Sequence, residues 1–230
     1  ALQLNPQHRR NAPFLKLVQR LDELTFGPVG MPMPPWVFYD CAVMPGAVFG
    51  LSQPVADLEP WVRVVLDIDE DYDGPVPISL FIAIPTLSEG TWFVYTLCDI
   101  NEIAPGAAPG GLSQLSLVLG LKMLGVETLQ GATQWRSRQL PHLCHMGALE
   151  VMTAWTPAHS YVRTVTYRTA VDDESLQAVL TNPRANPALP LPTHMLDVDD
   201  VEMLQRVQRD VEGGVNWRIV GRPIQRGAHT

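Results

Sequence analysis

Charge is scarce in this chain. Acidic and basic residues make up 17% of its 230 positions, below the quarter or so that is usual, and lysine occurs only at Lys16 and Lys122. The 24 acids outnumber the 16 bases, for a formal net charge of −8. That balance leaves no basic stripe to displace counterions and excludes a nucleic-acid partner. Cysteine is scarcer still: Cys41, Cys98 and Cys144 are odd in number and widely spaced, so no disulfide framework is written here and a reducing, cytoplasmic location is expected. Long apolar runs are also missing. The longest, residues 112–126, is interrupted by Ser113, Gln114, Ser116 and Lys122, and the polar stretch 1–10 offers no secretory signal, so no membrane partner is expected. No Gly-x-Ser-x-Gly elbow, Walker loop, dinucleotide fingerprint or Cys-x-x-Cys pair occurs, which sets aside the enzyme classes built on them.

What is present is apolar material, 46% of the chain, punctuated by 21 prolines and 17 glycines. The first figure supports a globular core, and the second rules out a coiled coil or helical solenoid. Phe14, Leu17, Val18, Leu21 and Leu24 recur at three-and-four spacing behind Asn11 and Pro13, predicting an amphipathic helix. Residues 27–35 read as an extended connector, because proline restricts both itself and the residue before it. Strands are expected over 36–43, 48–51, 61–68, 76–84 and 91–103, with 61–68 open to a short helix led by Pro60. Gly90 supplies a tight turn between the last two.

A glycine- and proline-rich turn over 105–111 precedes residues 112–124, apolar on nearly every side and therefore read as a buried helix. A strand at 126–133, a helix at 137–146 interrupted by Pro141, and strands at 149–155 and 161–170 follow. Four prolines make 182–192 a surface crossing. Asp197 and Asp199 then precede a helix through Val201, Leu204, Val207 and Val211, closed by Gly213 and Gly214, with a short strand at 217–220. The expected fold is α+β: a mixed, largely antiparallel sheet with a central buried helix and peripheral N- and C-terminal helices. Its segments are 1–35 (helix and connector), 36–181 (core), 182–196 (crossing) and 197–230 (helix and short strand on the same domain).

Asp69, Asp71, Asp73 and Gly74 have the spacing that opens a calcium-binding loop, but Leu80 stands where the bidentate acid belongs. The segment reads as a solvated acidic turn, with weak calcium binding as the alternative. His142, Cys144 and His145 could ligate zinc only if His159 folded back to complete the set, so no metal is expected. Lys122, set among leucines, is either a neutral nucleophile lowered in pKa by burial or a snorkelling cation.

The order of elements from 76 to 170 resembles the core of the GNAT acyltransferase superfamily, with Ile103-Ala104-Pro105 and Gly110-Gly111-Leu112-Ser113 as a degenerate version of its glycine-rich turn. The resemblance implies acyl-CoA as co-substrate, its pyrophosphate held at Gly110, Gly111, Leu112 and Ser113, and a small-molecule amine as acceptor. Asp99 or Glu102 would serve as base, and His142, His145 or His159 would replace the family's tyrosine, whose place falls near Leu143. The arginine or glutamine usual before the first turn glycine is here proline and alanine, and the family's Gly-Phe step is Gly147-Ala148. A second resemblance, to acetoacetate decarboxylases, rests on residues 98–102 followed by a helix bearing Lys122, without the family's paired lysine. The third reading is a non-catalytic binding or assembly protein, as a homodimer for example, built on Trp36, Trp61, Trp92, Trp135, Trp155 and Trp217, which otherwise belong to the core.

Overall fold

The computed structural model describes residues 7–43, 46–137, 139–155, 163–181 and 192–221. The chain divides into two compact units, Ala1–Val126 and Glu127–Thr230. Their boundary falls inside the segment 36–181 that the sequence groups as one core.

In the first unit, α1 (Ala12–Phe26) opens with proline in its first turn and buries Leu15, Leu17, Val18 and Leu21, together with one acid, Asp22. A short 3-10 turn, Gly27–Val29, stops at Gly30 in the left-handed conformation. The next element corrects the sequence reading: α2 (Pro35–Val43) is a helix where a strand was expected. Pro35 at its first position is pre-set for helix, and Val37 and Phe38 turn inward while Trp36 and Tyr39 remain exposed. β1 (Ala47–Phe49) and β2 (Ser52–Pro54) follow. The helical option holds at α3 (Pro60–Val65), led by Pro60.

β3 (Pro75–Pro77) pairs with β2. β4 (Ser79–Pro85) lies antiparallel between β1 and β5 (Thr91–Asp99), and the β4–β5 hairpin turns through Gly90 at φ 67° as expected. Strand alternation gives β4 two working faces. Leu80 and Ile82 join Val18, Leu21, Val37, Phe38 and Cys98 in one core cluster under α1 and α2. Ser79 and Phe81 face α4 (Leu112–Leu124), where Ser79 Oγ lies 2.5 Å from Ser116 Oγ. Contrary to expectation, α4 is not buried all round, since Leu119, Lys122 and Met123 are exposed. Single apolar side chains on a surface are ordinary, and the helix is held by its inner face alone.

The second unit carries β6 (Thr128–Gln134), α5 (Gln139–Leu143), β7 (Leu149–Thr153), β8 (Thr164–Ala170), α6 (Asp173–Thr181), α7 (Val201–Glu212) and β9 (Arg218–Ile219). Its strands run antiparallel in the order β6-β8-β7-β9. The sequence reading did not include α6. Its signal was the reciprocal cap in which Ser175 N donates to Asp172 Oδ1 (2.7 Å) and Asp172 N donates to Ser175 Oγ (2.9 Å). Asp200 caps α7, its Oδ1 accepting from Met203 N at 3.1 Å. The crossing expected at 182–192 lies, but for its last residue, outside the described residues. The fold class is α+β, and among the described residues every strand pairing within each unit is antiparallel.

Candidate functional site

β5 ends at Asp99, and the chain makes a 3-10 turn, Ile100–Glu102, before the glycine-rich segment leads into α4. Ile100, Ala104 and Leu112 anchor the two ends of this excursion in one apolar cluster with Val62, Val76 and Ile78. Between the anchors the backbone is exposed at Pro105, Gly106, Pro109, Gly110 and Gly111. Gly106 at φ 85° and Gly111 at φ 84° hold left-handed conformations that side chains disfavour. A Cβ added at Gly106 or Gly110 would meet nothing within 4 Å, so the outer side of the turn is open.

The inner side is filled by two polar residues. Asp99, 6% exposed, accepts from Asn101 N through Oδ1 (2.9 Å) and from Ser113 N through Oδ2 (3.1 Å). It therefore caps both the 3-10 turn and the first turn of α4. Asn101 Oδ1 accepts from Gly106 N and Ala108 N, each at 3.2 Å, and Nδ2 donates to Pro109 O at 3.2 Å. The sequence reading gave Asn101 no role of its own. Its signal was an amide side chain just ahead of a glycine- and proline-rich segment, where such residues organise turns.

Of the predicted site residues, Asp99, Glu102, Gly110, Gly111, Leu112 and Ser113 all belong to this one stretch of the first unit. Glu102 is exposed, and after burial its charge is the next cause pushing the Cys98 thiol up. His142 and His145 belong to the second unit, with rings edge-on at 5.7 Å. Between them in sequence, burial pushes the Cys144 thiol up to about 12. His159 lies outside the described residues. Lys122 is exposed, so the burial that was its one available activator as a Schiff-base nucleophile is absent.

Asp69, Asp71 and Asp73 line a cleft of about 710 Å³ with Arg10, Phe14 and Tyr72. Among the described residues, no three His, Cys, Asp or Glu side chains gather as a metal site. Nor, among those residues, is any helix long and apolar enough to cross a membrane. Of the six tryptophans, Trp135 is buried and donates Nε1 to Ala154 O at 2.9 Å, whereas Trp36 and Trp61 are exposed.

No protein-family model matches the chain, and no curated protein matches it. Among solved structures it resembles the ribosomal-protein-S18-alanine N-acetyltransferase from Escherichia coli, at 12% identity and a TM-score of 0.45, over 69% of this chain and 88% of that one. It also resembles a protein from Desulfovibrio desulfuricans described as an acetyltransferase of the GNAT family, at 16% identity and a TM-score of 0.43, over 74% of this chain and 96% of the other.

Proposed function

We propose that this chain is an acyl-CoA-dependent acyltransferase acting on a small-molecule amine, with the turn before α4 as the seat of the ligand's diphosphate. One observation carries the reading: a strand end, an outward-open turn with glycines at positive φ, and the amino end of a 13-residue helix follow one another in a single stretch. Backbone N–H groups at such a place carry partial positive charge and suit a phosphate oxygen. Ser113 N already serves Asp99, so the ligand's contacts fall to the exposed backbone of Gly110 and Gly111.

In the reaction, the unprotonated amine nitrogen attacks the thioester carbonyl carbon, the C–S bond breaks, and the proton lost by nitrogen reaches the departing thiolate through solvent. A pantetheine arm separates the diphosphate of acyl-CoA from its thioester. Asp99 and Glu102 therefore sit at the diphosphate end of the ligand, where Asp99 caps the turn and the helix, and neither is assigned the amine's proton. The histidines of the second unit are not called upon.

Gly110→Asp tests the reading, because a Cβ there meets nothing within 4 Å and needs no left-handed backbone, yet the carboxylate places a negative charge where the diphosphate would lie. Acetyl-CoA should raise the melting temperature of the natural protein saturably, since a ligand selective for the native state stabilises it. The shift should be lost in Gly110→Asp and kept in Gly110→Asn. No shift of the natural protein at millimolar acetyl-CoA or longer acyl-CoAs overturns the proposal.

A further inference from the structure

The turn is not shaped by its own sequence alone. From Pro105 to Gly111 its internal backbone support is slight: Ala107 N donates to Ala104 O at 3.0 Å, while Gly106 N and Ala108 N both turn to the side chain of Asn101. That one amide also holds Pro109 O, so three points along the turn converge on it. Asn101 is fixed in its own turn because Asp99 accepts its backbone N–H, and the same carboxylate reaches the first turn of α4 through Ser113 N. Asp99 and Asn101 together thus link the end of β5, the turn and the helix.

We infer that Asn101 is the positioning residue of this site, holding the exposed backbone of Gly110 and Gly111 in its ligand-ready shape before the ligand arrives. The inference rests on the acyl-CoA reading of the turn. A loop already ordered in its bound shape loses less freedom on binding, and the saving appears as affinity. Removing the amide while leaving the glycines untouched should therefore weaken acyl-CoA binding although no atom that touches the ligand has changed.

The test is Asn101→Ala in the full chain, read by amide hydrogen exchange without ligand and by calorimetric titration with acetyl-CoA. The amides of Gly106 and Ala108 should exchange faster, and acetyl-CoA affinity should fall by about tenfold or more. Asn101→Asp keeps an acceptor for both amides and should restore their slow exchange, which separates loss of this contact from general unfolding. Unchanged exchange at Gly106 and Ala108 in Asn101→Ala, or faster exchange with unchanged affinity, overturns the inference and leaves the acyl-CoA reading standing. A natural protein that binds no acyl-CoA overturns both.

Discussion

Asp22 lies on the buried side of α1 at 1% exposure, with Oδ2 accepting from Met33 N at 2.7 Å and Oδ1 accepting from Thr96 Oγ1 at 3.2 Å. Burial raises its pKa from the ordinary 3.8 to about 6, a rise that these two hydrogen bonds oppose but do not cancel. A carboxyl group whose pKa is raised on folding stabilises the protein below the unfolded value, and that contribution is lost as pH climbs through the folded value. Here the window runs from 3.8 to about 6. At neutral pH the buried charge costs about 2 to 3 kcal/mol relative to acid, from the size of the shift. Asparagine keeps an acceptor for Met33 N and offers a donor to Thr96, and it does not titrate. Asp22→Asn should therefore gain stability over the natural protein as pH rises from about 4 to about 7, by up to that amount. Urea unfolding of both proteins across the range measures the difference, and parallel pH curves would show that Asp22 does not titrate in this window.

At the scale of elements, α4 is seated by a missing side chain. A Cβ on Gly120 would stand 2.6 Å from Cε1 of Phe81, whose ring is fully buried on β4. Alanine is normally better than glycine inside a helix by about 1 kcal/mol. In this place the overlap should win, and Gly120→Ala should destabilise by about 1 to 3 kcal/mol. Phe81→Leu withdraws the ring, so the alanine should cost much less in that background, and a double-mutant cycle should return a favourable coupling. Strictly additive effects would place the helix elsewhere.

How far the sequence discloses these elements depends on where their determinants lie. The faces of α1 and α7, the β4–β5 hairpin and the span of α4 follow from residues a few positions apart, and all were legible. α2 was not, because its aromatic and β-branched residues favour a strand until Pro35 is given weight. The glycine turn between β5 and α4 was legible as a turn. Asp99 reads in the sequence as a base or as exposed strand-end polarity, and its capping role could not be read because its partner Ser113 lies 14 residues on. Asp22 was opaque for the same reason, with its partner Thr96 lying 74 residues away.

The charge of the whole molecule bears on the proposed ligand. With a net charge of −8 and acyl-CoA itself a polyanion, the two repel at long range, and at the turn Asp99 and Glu102 add to that field. The attraction proposed at Gly110 and Gly111 is between backbone donors and phosphate, a short-range contact with no counterion to release. Salt screens the long-range term over about 10 Å at 0.1 M and leaves the short-range one almost untouched. Acetyl-CoA affinity should accordingly hold level or rise as NaCl is increased from about 50 to about 200 mM, the reverse of binding through lysine and arginine, which weakens steeply over that range. Titration calorimetry at a series of salt concentrations measures it. A tenfold or greater loss of affinity across the range would mean that cationic side chains hold the phosphates, and the seat of the ligand would then have to be sought among the arginines and away from the glycine turn.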